Sequence, residues 1–439
     1  MFQVLKFGGT SVGSAQRIKD LVKLTHNTTP KIVVLSAMSG TTNSLVEICS
    51  AFYNKELTQA KTLIDELKQK YVREISALYS KPEISEKAKQ LIENHFNYIT
   101  AFTLDMFTAN EEKAILAQGE LLITALYHYY LEELNIDSIL LPALNFMRIT
   151  ADEEPDLPYI KKNITEELGK HPNQTLFITQ GFICRNVFGE IDNLKRGGSD
   201  YSASIIGAAI QSPEIQIWTD IDGMHNNDPR LVKNTQPISE LSFEEAAELA
   251  YFGAKILHPT CILPAQKSNI PVRLKNTMQP EAPGTLIANL NTQEGIKAVA
   301  AKDGITAITI KSDRMLLAHG FLRAVFEIFE RYKTPIDMIC TSEVAVSLTI
   351  DNTKYLKEII KELSEIALVE VEESQTIICI VGQLPKDKAG YGYEVLQALK
   401  DIPLRMVSYG GSTHNISVLV NENLKKEALQ SLHKSLFHS

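Results

Sequence analysis

The feature that most constrains this chain is a short grammar repeated through its first part: an apolar run, a turn of small residues, then a helix-like stretch. Residues 4–7 form the first apolar run, and Gly8 and Gly9 end it. Ile18, Leu21, Val22 and Leu24 then share one helical face, with Thr10 or Ser11 available as the cap. Residues 31–35 repeat the pattern and lead into the small-residue turn 36–43. Strand, turn and helix in alternation build a parallel sheet covered by helices. Residues 51–135 read as mostly helical. Further strands are expected at 138–141, 175–178 and 215–220, and a helix at 242–255. The segment 276–295, rich in Pro, Gly, Asn and Thr, reads as a domain boundary.

The tail carries an internal repeat. Gly320 and Gly390, and likewise Ser347 and Ser417, recur at the same offset of 70 residues. Each copy reads as a helix and two strands, preceded by a further strand at 305–310 or 376–381. Two copies are too few for a solenoid, and a pair of small βαββαβ domains fits better.

Composition removes several classes. At about 150 residues per domain, 439 residues allow roughly three domains. A net charge of −9 argues against a general nucleic-acid binder, which needs a basic face. No apolar run approaches the roughly 18 residues of a membrane span, and the start lacks the marks of a signal peptide. Five scattered cysteines form no disulfide framework, so a cytoplasmic location is expected.

The chemistry concentrates in a few clusters. Lys6-Phe7-Gly8-Gly9-Thr10-Ser11 joins a strand to a helix through a glycine turn, which exposes backbone N–H groups suited to phosphate. It is not a Walker P-loop, and the same residues would serve as a plain tight turn. Lys195-Arg196-Gly197-Gly198-Ser199-Asp200 repeats the device, with Arg196 as a planar fork for a carboxylate or phosphate. Asp200 would also serve as a simple cap there. Thr219 and Asp220 end a strand where open α/β sheets bind ligands. Lys255 lies where it could meet a phosphate. His258, before a proline, reads as a structural hydrogen bonder, and Glu120 follows a glycine in a helical region. No zinc spacing, nucleophile elbow or Gly-x-Gly-x-x-Gly motif occurs.

Together these clusters resemble the aspartate kinase family of the amino-acid kinase superfamily. The signature Lys-Phe-Gly-Gly-Thr-Ser-Val, the Arg196–Asp200 turn, Trp218-Thr219-Asp220 and residues 252–259 follow in the family's order and spacing. The tail resembles paired ACT domains, with Thr341-Ser342-Glu343-Val344 as its signature. The likeness covers almost the whole chain. It is nearest to the monofunctional, lysine-sensitive type, with no homoserine dehydrogenase half expected after residue 439.

The resemblance implies an α/β amino-acid kinase fold, a largely parallel central sheet sandwiched by helices, followed by two ferredoxin-like βαββαβ ACT domains. Residues 1–290 would form the catalytic domain and 296–439 the regulatory region. The ACT domains would span about 311–375 and about 376–439, with 297–310 able to join the second. The implied reaction is ATP-dependent phosphorylation of L-aspartate to 4-phospho-L-aspartate. By resemblance Lys6, Asp200 and Arg196 are catalytic. Thr42, Glu120, Arg196, Gly198 and Ser199 hold aspartate. Lys6, Gly8, Gly9, Thr219, Asp220, His225, Arg230 and Lys255 bind ATP. Mg2+ would accompany the nucleotide without a named protein ligand. Met315, Ala318, Gly320, Phe321, Leu322, Ile336, Asp337, Thr341, Ser342 and Glu343 would form the effector site, with lysine as the effector. The expected assembly is a homodimer through the ACT domains, or a dimer of dimers, with no nucleic-acid or membrane partner.

The chain departs from the family pattern at His225, where Tyr is common, and at Lys195, where Gly is usual. It also has Asp192-Asn193 in place of a Thr-Thr pair, and Ala318 where lysine-sensitive relatives often carry Ser. Two other readings stand beside this one. The chain could phosphorylate another acidic amino acid such as glutamate, or act as a catalytically silent ACT-type sensor. Retention of Lys6, Arg196, Asp200 and Lys255 together weighs against the sensor.

Overall fold

The computed structural model describes residues 1–104, 107–194, 197–253, 257–290, 293–312 and 320–437. The chain forms two compact units. The first comprises Met1–Met224, Ser239–Phe243 and Ile256–Leu290; the second comprises His225–Ile238, Glu244–Lys255 and Asn291–Ser439. Two segments from within residues 1–290 thus pack with the C-terminal unit.

The first unit is built on strands β1 (Gln3–Phe7), β2 (Lys31–Leu35), β3 (Ile139–Leu141), β4 (Leu176–Gln180), β5 (Ile183–Arg185), β6 (Ile191–Asn193), β7 (Ile215–Thr219), β8 (Glu240–Ser242), β9 (Val272–Asn276) and β10 (Thr285–Ala288). Eight of them form one sheet in the order β3-β4-β2-β1-β7-β9-β10-β8. All pairings are parallel except β9 with β10. Residues of β2 and β4 are buried throughout, which explains their continuous apolar reading rather than an alternating one. β5 and β6 form a separate antiparallel hairpin.

Helices cover this sheet. Helix Leu57–Leu78 buries Ala60, Ile64, Leu67, Tyr71, Ile75 and Leu78, a three- and four-residue stripe that identifies its inner face. The expected helical region 51–135 contains this helix with Pro82–Ala101, Ala109–Leu116 and Gln118–Glu133. The first helix, Ala15–Thr25, is capped by Ser14, whose side chain accepts from Arg17 N, not by Thr10 or Ser11. Ser11 is buried and hydrogen-bonds Thr277 Oγ1 instead, at 2.6 Å. The segment 276–295 is not simply a linker, because residues 285–288 form β10 within the sheet. Its Pro- and Gly-rich flanks hide that short apolar run.

The second unit holds β11 (Gly295–Lys311), β12 (Ile339–Thr341), β13 (Ala345–Ile350), β14 (Leu368–Gln383), β15 (Met406–Tyr409) and β16 (Asn415–Asn421), in the order β12-β13-β11-β14-β16-β15. The repeat seen in sequence is visible here as two helix-covered βαββαβ halves that share the long strands β11 and β14. Residues 306–311 pair with β13 in the first half. Residues 295–302 pair with 377–383 and supply the outer strand of the second. A register irregularity between Lys302 and Ile305 marks the change. In the first half, helix Phe321–Arg331 buries Val325, Ile328 and Phe329 and helix Leu356–Ser364 buries Leu356, Ile359 and Leu363; in the second, Tyr391–Ala398 buries Tyr391 and Val395 and Lys425–Leu436 buries Ala428, Leu429 and Leu432, so each half closes its own core.

Candidate active site

The parallel register sets Phe7 beside both Leu35 and Trp218. The carboxyl ends of β1, β2 and β7 therefore open onto one place, where α/β sheets bind ligands. A cleft of ≈ 540 Å³ lies there, lined by Lys6, Gly8, Gly9, Thr10, residues 36–40, Thr42, Asn43, Glu120, Phe182, residues 197–200, Thr219 and Asp220. Gly8 N–H donates to Trp218 O (3.1 Å) and Ser39 N–H to Gly9 O (3.1 Å), which lashes the two turns together. A Cβ at Gly9 would stand 2.8 Å from Ala37 O, so only glycine permits this approach.

Lys6, the penultimate residue of β1, has its ammonium 2.7 Å from Asp200 Oδ1; both side chains are nearly buried, at 11% and 14% exposure. Asp200 lies in the first turn of helix Gly198–Ile210, whose cap is Gly197 at φ 75°. A side chain at Gly197 would collide with Cys261 Sγ. The helix start, with its exposed N–H groups and positive end, faces the cleft. Asp200 is thus not the helix cap; its carboxylate serves Lys6.

Glu120 is buried at 4% exposure in helix Gln118–Glu133, and its Oε1 accepts from Ala37 N–H at 3.1 Å. Burial pushes its carboxyl up to about 8, against the opposing pull of the Ala37 amide and Lys6. Thr219 Oγ1 donates to Asp220 Oδ1 at 3.1 Å beside the exposed Asp220 carboxylate.

The cleft unites Lys6, Gly8, Gly9, Thr42, Glu120, Gly198, Ser199, Asp200, Thr219 and Asp220. His225 and Arg230 belong to the second unit. There His225 Nδ1 bonds Thr235 Oγ1 at 2.9 Å. Arg230 is held by Asp228 through Nε (2.9 Å) and Nη2 (2.7 Å). Arg196 and Lys255 lie outside the described residues, as does Lys195. His258 caps helix Pro259–Lys267, in keeping with its structural reading. Sequence reasoning missed Ser39, Asn43 and Phe182. The first two were in plain view in the 36–43 turn. Phe182 carries a sharper signal only in the structure: it holds φ 65°, unusual for a bulky residue, at the rim of the cleft.

In the second unit Gly320, at φ 91°, caps helix Phe321–Arg331. Phe321 and Ile336 are half-buried, while Leu322, Thr341, Ser342 and Glu343 are exposed. Ser342 Oγ accepts from Ala345 N–H at 3.1 Å, closing a tight turn. Met315 and Ala318 lie outside the described residues. The Asp337 carboxylate is fully buried. Its Oδ1 accepts from Lys302 Nζ (2.9 Å) and Tyr251 Oη (2.7 Å), while Lys302 also reaches Asp351 at 2.8 Å. Asp337 Oδ2 is buried without a hydrogen-bond partner among the described residues. Neither Lys302 nor Tyr251 stood out in the sequence, because their role rests on long-range contacts.

Comparison with known proteins defines the class: residues 1–276 match the amino acid kinase family and residues 378–436 the ACT domain. Over 450 residues the chain is 35% identical to lysine-sensitive aspartokinase 3 of Escherichia coli (strain K12), covering 99% of both proteins. It is 33% identical to the chloroplastic aspartokinase 1 of Arabidopsis thaliana, covering 99% of this chain and 80% of that one. The crystal structure of E. coli aspartokinase III in complex with aspartate and ADP (R-state) aligns over 100% of both chains, with a TM-score of 0.84 at 33% identity. The same enzyme with lysine and aspartate (T-state) aligns over 100% of both, with a TM-score of 0.82 at 33% identity. The chain therefore belongs to the aspartokinase family.

Proposed function

We propose that this aspartokinase transfers the terminal phosphoryl group of ATP to the side-chain carboxylate of L-aspartate, releasing ADP and 4-phospho-L-aspartate. The observation that carries this is the Lys6–Asp200 pair, 2.7 Å apart in one cleft with Glu120 and two glycine turns.

The nucleophile is a carboxylate with a pKa of about 3.9, already ionised at neutral pH. No general base is required, and the barrier is the approach of two anions. A carboxylate oxygen bonds to phosphorus as the bond to the ADP oxygen breaks, and charge grows on the equatorial oxygens. Lys6, held in place by Asp200, supplies the positive charge there, assisted by the N–H groups of the glycine turns. Glu120 takes the substrate ammonium and Arg196 its α-carboxylate, so the side-chain carboxylate points at the phosphoryl group. Thr42, Gly198 and Ser199 complete that pocket. Thr219 and Asp220 sit on the nucleotide side, to which His225, Arg230 and Lys255 also belong in this reading.

Magnesium bound with the nucleotide would supply charge neutralisation at the phosphates. The cleft carboxylates Asp200 and Asp220 suit a cation carried in chiefly by phosphate and water oxygens, and among the described residues no group of three His, Cys, Asp or Glu is placed to hold one.

The regulatory unit is read as a lysine site, with Asp337 Oδ2 receiving an effector ammonium. The bound states named for the E. coli enzyme, with aspartate and ADP and with lysine, support both parts. Residues 1–290 serve as the catalytic span and 296–439 as the regulatory one. Exposed Ile339, Val407 and Tyr409 on the outer strands β12 and β15 favour a homodimer through this unit, or a dimer of dimers. Five free thiols suit a reducing cytoplasm, and among the described residues no helix is long and apolar enough to cross a membrane.

The test is ADP release from MgATP with L-aspartate, with L-glutamate as the matched control, on protein whose mass is fixed by light scattering. Turnover is expected with aspartate and not glutamate, on a dimer or tetramer. Millimolar lysine should suppress it, threonine should not, and Asp337→Asn should raise the lysine concentration for half inhibition about tenfold or more. Turnover with glutamate alone would overturn the substrate assignment. Indifference to lysine would overturn the effector assignment and leave the kinase.

A further inference from the structure

The stretch that departs from the family pattern, Asp192-Asn193, is built into an arrangement of its own. Asp192 lies on β6 with a side chain only 9% exposed, and its Oδ2 meets Lys113 Nζ at 2.6 Å. Its Oδ1 accepts from Asn193 N–H at 2.7 Å, so both carboxylate oxygens are engaged. Asn193 Nδ2 returns to Lys113 O at 3.3 Å. That carbonyl also accepts from Ala117 N–H at 3.1 Å. The side chain and the carbonyl of Lys113 are thus both tied to two consecutive residues of β6.

The two sides of this clamp lead to two residues of the cleft, Glu120 and Phe182. On one side, Lys113 lies in helix Ala109–Leu116, which passes through Ala117 into the helix carrying Glu120. Gln118 fixes that junction further: its Nε2 donates to Ala114 O (2.8 Å) and its Oε1 pairs with His95 Nδ1 (2.6 Å). On the other side, Leu194 N–H donates to O of the cleft residue Phe182 at 2.7 Å. The chain then runs directly into Lys195-Arg196-Gly197.

We propose that Lys113, Asp192 and Asn193 form a positioning clamp that fixes the helix carrying Glu120 against the β5–β6 hairpin and the cleft residue Phe182, and thereby sets the affinity for the α-amino acid end of aspartate. The inference rests on the role given above to Glu120. The clamp touches neither reactant. It acts through the groups it holds, and displacement of such groups by an ångström is enough to weaken binding severely. Removing Lys113 would leave a nearly buried carboxylate at Asp192 without the ion pair that offsets its desolvation.

The test compares Lys113→Met, Asp192→Thr, the double variant and Lys113→Arg. KM for aspartate should rise about tenfold in each single variant, while kcat and KM for ATP stay within about twofold. The double variant should be no worse than the worse single one, since the two residues act as a unit. Lys113→Arg, which keeps the pair, should stay near the parent. Thermal melts show that each variant is folded, and the double variant, which buries no unpaired charge, keeps the test open should a single variant unfold. An unchanged KM for aspartate in the folded double variant, or a parallel rise for aspartate and ATP, would overturn the clamp. Glu120→Gln separates this from the underlying reading. If it raises KM for aspartate and the clamp variants do not, only the clamp fails; if it leaves KM unchanged, the assigned role of Glu120 fails.

Discussion

Lys6→Met is expected to lower kcat by about a hundred- to a thousandfold while leaving KM for aspartate within a few-fold. The reason is geometric. The Lys6 ammonium is fixed 2.7 Å from Asp200 near the carboxyl end of β1, in the cleft proposed to receive the substrate. A charge aimed at the transferring phosphoryl group gains most in the transition state, where negative charge is spread over its oxygens, and removing one such donor elsewhere costs about 10²–10³ in rate. In the proposed reading aspartate is held at its other end, by Glu120, and its binding depends little on Lys6. The substitution also strands Asp200, and breaking a buried pair from one side costs about 3–5 kcal/mol. Lys6→Arg, which keeps the charge and misplaces it, is the companion variant: folded and still slow. Steady-state kinetics on both, with melting curves, measures this. Near-normal kcat in folded Lys6→Met would remove Lys6 from catalysis.

The second large effect is on pH dependence. With its carboxyl raised from an ordinary 4.5 to about 8, Glu120 is protonated in the empty enzyme at neutral pH. In the proposed reading the substrate ammonium binds the Glu120 carboxylate, not its protonated form. Aspartate therefore binds more weakly as pH falls below about 8, approaching tenfold per unit, so KM for aspartate should drop about tenfold or more between pH 6.5 and pH 8.5. The stability sign runs the other way. Between pH 4.5 and 8 the unfolded chain has lost this proton and the folded one retains it, so stability from this group falls as pH rises. Glu120→Gln should bind aspartate poorly at every pH, lose the slope in KM, and flatten the fall in melting temperature of the empty enzyme. Isothermal titration or KM across the range decides it. A flat KM profile in the unaltered enzyme would contradict the assigned role of Glu120.

Much of this was legible in sequence because local signals agreed with the fold. The Lys6–Gly9 turn, the Gly197–Asp200 helix start and the strand ending at Thr219 each announce themselves, and a parallel sheet brings such ends together. The duplication in the tail was legible from its 70-residue offset. What stayed hidden depends on partners distant in the chain. No local pattern tells that β11 divides its length between two halves at Lys302 and Ile305, or that residues 285–288 become β10. The burial that raises Glu120 comes from the packing of its whole helix, and a glutamate on a helix otherwise reads as solvated. That Asp228, two residues earlier, holds the Arg230 guanidinium was likewise not announced by the sequence. Asp337, assigned to the effector by resemblance, gave no sign in the sequence that Lys302 and Tyr251 share its Oδ1.

The central claim, that the Lys6–Asp200–Glu120 cleft directs phosphoryl transfer to the aspartate side chain, is tested most directly by trapping the product. An acyl phosphate reacts with hydroxylamine to give a hydroxamate at the carbon that carried the phosphate. Run with MgATP, L-aspartate and hydroxylamine, the enzyme should yield aspartate β-hydroxamate in step with ADP, identified by mass spectrometry and NMR. Formation of the α-hydroxamate, or ADP release with no aspartate hydroxamate at all, would contradict it.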